Sequence, residues 1–145
     1  MKRQRNTMLS HIVYLSDSTN FISWDLIKDI LLFSDENNKN KNVTGILFGH
    51  SMNFLQVLEG DKAVIKNLYE HIAKDERHQN IILLEFVPIT ERKFSDWSMR
   101  GFNFNNLPKE KQQHILNKYC GAGEEFFLPT ETKSCLAFID ELTQL

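Results

Sequence analysis

The 145 residues suffice for one domain with a substantial core, and 41% hydrophobic with 25% charged residues is ordinary for a soluble globular chain. A net charge of −2 offers no general attraction to nucleic acid, and no apolar run approaches the ~18 residues that a membrane span needs. Lys2, Arg3 and Arg5 form a basic cluster with no apolar stretch behind it, so it does not read as a secretory signal and a cytoplasmic setting is expected.

Residues 9–16 (LSHIVYLS) are short, apolar and followed by the turn-type cluster DSTN, which predicts a strand. The stretch 23–40 opens on Ser23, a good N-cap, and places Trp24, Ile27, Ile30 and Leu31 at helical spacing. NVTGILFGH (42–50) and NFLQVLEG (53–60) predict a hairpin with a tight turn at 51–52. In 61–78, Asp61 is the expected N-cap and Val64, Ile65, Leu68, Tyr69 and Ile72 form an apolar stripe. NIILLEFVPI (80–89) predicts a long strand, and the aromatic stretch 92–104 a last one. The order βαββαββ is the split βαβ, or ferredoxin-like, α+β plan with a fifth strand in a mixed sheet. Two further helices, 107–120 and 130–145, are expected to cover the other sheet face. The chain thus divides into an arm (1–7), an α+β domain (8–104) and a helical cap (105–145).

Little in this chain suggests hydrolysis. It has no phosphate-loop pattern and no nucleophile elbow. Acyl phosphatases on a similar plan need an anion-binding arginine loop after the first strand, and SDSTNF (16–21) contains no arginine. Cys120 and Cys135 lack a CxxC arrangement, and the five histidines form no i, i+4 pair, so no metal site is expected. What does stand out is an amide. Strand alternation puts Gln56 on one face with Phe54 and Leu58, and Leu55 and Val57 on the other. Both faces read as buried, and an unpartnered amide there costs about 1–3 kcal/mol. A polar partner must meet it. Tyr14 on the first strand and Asn37 and Asn38 at the end of the first helix are further polar groups placed where a pocket could use them, although each also suits a structural role.

Taken together, Tyr14, NN (37–38), TGIL (44–47), FLQVLEG (54–60), DERH (75–78) and FSDWSM (94–99) closely resemble the BLUF family of blue-light photoreceptor domains, over residues 8 to 104. The resemblance implies a bound flavin, normally FAD, with FMN or riboflavin possible in the same pocket. It implies that Tyr14 is the redox-active tyrosine and Gln56 the switching glutamine. Asn38 matches the side chain that bonds the flavin's pyrimidine edge, and Ile30 and Ser34 line the same helix face. Asn37 matches a position filled by His or Asn in the family. Asp75, Arg77 and His78 match positions near the ribityl chain and outer ring edge, and Trp97 and Met99 match the pair that relays the signal. In that scheme light drives proton-coupled electron transfer from Tyr14 to the flavin, and Gln56 rearranges its hydrogen bonds. The red shift that follows involves no net redox change. The last strand and cap helices would carry the signal to a homo-oligomer contact or a separate effector protein, since the length leaves no room for a fused cyclase or phosphodiesterase. The chain would not itself be an enzyme. A light-insensitive flavin-binding or scaffold module, and a flavin redox enzyme, are the rival readings.

Overall fold

A computed structural model describes residues 8–38, 41–95, 99–119 and 129–144, with the side chains of 33–38 outside that set. In chain order the elements are β1 (Leu9–Ser18), α1 (Trp24–Asn38), β2 (Thr44–His50), β3 (Asn53–Asp61), α2 (Lys62–Ala73), β4 (His78–Pro88) and β5 (Arg100–Asn103). A 3-10 turn (Phe104–Asn106), α3 (Lys109–Tyr119) and α4 (Thr132–Gln144) follow. Among the described residues the strands form one five-stranded sheet in the order β4-β1-β3-β2-β5. β1 is antiparallel to both β3 and β4, β2 is antiparallel to β3, and β5 runs parallel to β2. This is the expected ferredoxin-like plan, with the extra strand added beside β2.

Local chemistry explains most boundaries. The Leu26 N–H donates to Ser23 Oγ at 3.1 Å, so Ser23 caps α1 as its type predicts. Ser51 takes a φ of 57°, the left-handed geometry a two-residue hairpin turn needs. The carbonyls of Ser51 and Met52 accept from the N–H groups of Ile22 and Ser18, each at 2.7 Å, which ties the hairpin tip to the β1–α1 loop.

Two elements are shorter than their sequences suggest. α2 stops at Ala73 rather than running to 78, because Asp75 Oδ1 accepts the Arg77 N–H at 2.9 Å and turns the chain. His78 then opens β4. Asp61 stands at the N-cap position of α2 with extended backbone, but its side chain makes no capping bond. The last strand begins at Arg100 rather than 92, because the N–H groups of Lys93 and Phe94 point at a carboxylate instead of at a neighbouring strand.

The sheet separates two cores. On one side, α3 and α4 pack over Val13, Ile46, Phe48, Leu55 and Val57, forming one cluster with Phe94, Phe104, Ile115, Cys135, Phe138, Ile139 and Leu142. This is the coverage expected of the two C-terminal helices. On the other side there are two clusters. Ile12, Tyr14, Val43, Leu58 and Ile65 gather under α2, and Ile22, Ile27, Ile30, Leu47 and Phe54 gather under α1. β4 forms one edge of the sheet, with Ile82, Leu83 and Val87 exposed. Its single acid, Glu85, is held by His11 of β1 at 2.6 Å.

Candidate functional site

The gap between the α1 and α2 clusters is where the polar side chains meet. Antiparallel pairing of β1 and β3 sets Tyr14 directly opposite Gln56, and both are buried. Cross-strand neighbours on one face have their Cβ atoms about 4.5–5.5 Å apart, close enough for a phenol and an amide to meet. The Tyr14 hydroxyl donates to Gln56 Oε1. The other end of the amide is held far less firmly. Among the described residues, the hydrogen-bond partner of Gln56 Nε2 is the Met99 thioether at 3.4 Å, a weak acceptor. Met99 also packs against both clusters on this face, so it bridges the gap beside Gln56.

Aromatic rings surround Tyr14. Tyr69 of α2 lies edge-on with its ring centre at 5.4 Å, and the His78 ring lies at 6.5 Å. Burial above all, with the Tyr69 phenol and the Asp75 carboxylate adding to it, pushes the Tyr14 hydroxyl far above its ordinary range. The phenol is therefore a neutral donor at any physiological pH. His78 is buried with its ring 5.0 Å from that of Phe54, and burial holds it below the usual histidine value despite the opposing charge of Asp75.

The turn before β4 carries a compact ion pair. The Arg77 Nη2 and Nε donate to Asp75 Oδ2 at 2.6 and 3.2 Å, and Nε also donates to Oδ1 at 3.1 Å. These bonds hold the Asp75 carboxyl below its ordinary range against the opposing effect of burial, and they raise Arg77. The charge of Asp29 on α1 also acts on Arg77, so this guanidinium lies within electrostatic reach of α1. Gly101 lets α1 approach β5 closely, since a Cβ there would come within 2.7 Å of both Ile27 and Leu31.

The structure thus brings Tyr14, Gln56, Met99 and His78 onto one face, with Ile30 in the α1 wall and the Asp75–Arg77 pair at the turn. Ser34, Asn37 and Asn38 belong to the last two turns of α1, and their side chains lie outside the described set. Trp97 lies outside the described residues. Met99 precedes β5 and lies outside the strand. Two residues escape the sequence reading. Ser16 of β1, given no role above, is buried, and its Oγ sits 3.1 Å from His78 Nδ1. Its spacing of two from Tyr14 could have placed it on the same face. Glu59 is a wholly buried carboxylate, and nothing in its local sequence marks it as such.

Comparisons with known proteins give matches over most of the chain. Residues 9–100 match the family described as "Sensors of blue-light using FAD". The chain is 31% identical over 133 residues to the "Blue light- and temperature-regulated antirepressor BluF" of Escherichia coli (strain K12), a match covering 90% of this chain and 32% of that protein. It is 31% identical over 105 residues to "Photoactivated adenylate cyclase subunit alpha" of Euglena gracilis, covering 71% of this chain and 10% of the relative. The chain therefore spans about a tenth to a third of the length of these curated relatives. Among solved structures, "BlsA photo-activated state" superposes with a TM-score of 0.75 at 28% identity, covering 93% of this chain and 94% of that one. "BlrB - a BLUF protein, dark state structure" gives 0.66 at 29% identity, covering 79% and 89%.

Proposed function

The chain belongs to the family of sensors of blue light using FAD, and from that membership we propose that it is a photoreceptor rather than an enzyme, holding a flavin in the gap between α1 and α2. The single observation that carries this reading is Gln56: a buried amide fixed at one end by the Tyr14 hydroxyl and, among the described residues, met at the other only by a thioether. Such a group has donor capacity to spare, which suits a planar ligand with acceptor atoms along its edge. The FAD of the family's description is the expected form, and FMN or riboflavin fit the same ring-gripping role. Asn38, Asn37 and Ser34 of α1, with Ile30, would hold the ring from one side. Asp75, Arg77 and His78 would do so from the turn.

A bound flavin would absorb blue light and supply an excited state able to accept one electron. Tyr14 is the side chain placed to give it. Its hydroxyl proton would leave along the existing hydrogen bond to Gln56 Oε1, and the electron and proton would both later return to Tyr14, so nothing is consumed. The lasting change is the orientation of the Gln56 amide. Reorienting it gives up the weak contact with Met99 Sδ, and the amide nitrogen can then donate to Tyr14 Oη. Met99 precedes β5, and Trp97 lies two residues before Met99. A shift there would pass through β5 into the 105–145 segment, with 8–104 acting as the flavin-binding unit. The recipient would be a second copy or a separate effector in the cytoplasm. Among the described residues no helix is long and apolar enough to cross a membrane.

The test is an absorption spectrum of the purified chain in darkness and after a blue flash. A flavin spectrum that shifts slightly red and relaxes in darkness is expected, and Tyr14→Phe should abolish the shift while keeping the flavin. A loaded chain with no reversible shift would reduce the reading to a binding module. A chain that cannot be loaded would end it.

A further inference from the structure

Glu59 lies three residues beyond Gln56 on β3, on the opposite face of the sheet, and is wholly buried. Its carboxylate is fully engaged. Thr44 Oγ1 donates to Oε1 at 2.7 Å, the Phe94 N–H to Oε1 at 3.1 Å and the Lys93 N–H to Oε2 at 2.6 Å. Arg92 Nη1 closes the cluster by donating to Thr44 Oγ1 at 2.8 Å and to the Glu59 carbonyl at 3.1 Å. Charge-assisted bonds of this kind are roughly twice as strong as neutral ones. The segment they hold runs on to Met99, only five residues past Phe94, and is fixed again where Arg100 pairs with Ile46 of β2.

Met99 is thus suspended between two anchors, and its sulfur meets the weakly held end of Gln56. We propose that Glu59 is a positioning residue: its carboxylate fixes the backbone at Lys93 and Phe94, ahead of Met99, and thereby helps place the Met99 thioether against Gln56 Nε2. The same clamp seats Phe94 in the cluster under α4, where Lys93 Nζ also meets Asp140 at 3.2 Å. Glu59 therefore joins the strand of Gln56 to the segment that touches both the pocket and the cap. The placement is a property of the chain itself. Its meaning for light sensing rests on the function proposed above.

The experiment uses the full chain, without flavin and then flavin-loaded in darkness, with 13C-methyl methionine and 15N-glutamine labels. Glu59→Gln keeps the length but replaces an acceptor with an NH2 that opposes the backbone donors. The Met99 methyl and Gln56 side-chain amide resonances are expected to move in both states, while the Met52 methyl stays in place. Thr44→Val removes one donor and should move the same two signals less. Unmoved Met99 and Gln56 signals in a folded Glu59→Gln chain overturn the proposal. If that variant does not fold, unmoved signals in Thr44→Val do so. In the loaded chain, Glu59→Gln and Met99→Leu should each change the dark-recovery rate about fivefold or more, and the double variant no further than the larger single. Additive effects would overturn the coupling. A wild-type chain with no light response would sink the photoreceptor reading and leave the resonance test standing.

Discussion

The two faces of the sheet are built to different rules. The cap face carries one continuous apolar cluster running from Val13 through Phe48 to Phe138 and Leu142. The pocket face carries two smaller clusters with Tyr14 and Gln56 between them and Met99 spanning the join. Both are made of the same strands, because alternate residues of β1 and β3 face opposite ways. On one face the apolar cluster is continuous, whereas on the other it is divided around a polar pair. The proposed photochemical pair sits where packing is divided.

The largest expected effect tests the continuous face. Phe138 packs edge-on against Phe48 at 4.9 Å and Tyr119 at 5.4 Å, so Phe138→Ala should cost about 3–5 kcal/mol, measured by urea denaturation. On the divided face the ordering should invert intuition. Gln56→Leu alone leaves the buried Tyr14 hydroxyl without an acceptor and should cost about 1–3 kcal/mol in the flavin-free chain. Adding Tyr14→Phe removes the orphan, so the double variant should be close to neutral. A double variant no more stable than Gln56→Leu would mean that the pair is not what limits packing there.

Acid should separate the faces by smaller amounts. His78 has its value lowered by burial, so the unfolded chain binds a proton near pH 6.5 while the folded chain resists it. Its contribution is therefore whole above about pH 6.5 and is lost as the pH falls below that. On the cap side, Glu141 accepts from Lys118 and Tyr119, each at 2.6 Å, and its ring partner His114 lies at 2.8 Å. Hydrogen bonding to Lys118 and Tyr119 draws the Glu141 carboxyl from 4.5 down to about 2. Its contribution is present above pH 4.5 and lost as the pH falls toward 2. Melting curves between pH 7.5 and 3 should show both losses, with His78→Asn flattening the upper one and Glu141→Gln the lower.

The plan of the fold was legible because its elements announce themselves by period and punctuation. Ser23 caps α1, the 51–52 turn closes the hairpin, and the apolar alternation of β3 places Gln56 correctly. The pairing of Tyr14 with Gln56 was legible only through resemblance, since register depends on contacts that no local stretch reveals. The early start assigned to the last strand has a definite physical cause. Residues 92–95 have the composition of a strand, but two of their N–H groups are taken by Glu59. An acid beside a glycine at a strand end ordinarily signals solvent, and only the convergence of Thr44, Lys93 and Phe94 makes this one a core residue.

The edge strand β4 bears on how the protein behaves in a tube rather than in light. Among the described residues its outer side has no strand partner, with Ile82, Leu83 and Val87 exposed and Glu85 already engaged by His11. Long apolar edges of that kind are templates for strand addition, and natural sheets usually guard them with lysine or proline. Here Pro88 guards only the end. Colloidal stability at high concentration should therefore be governed by β4, whatever the state of the pocket. One lysine in place of Ile82, which belongs to none of the buried clusters, would supply the missing guard and leave both cores intact.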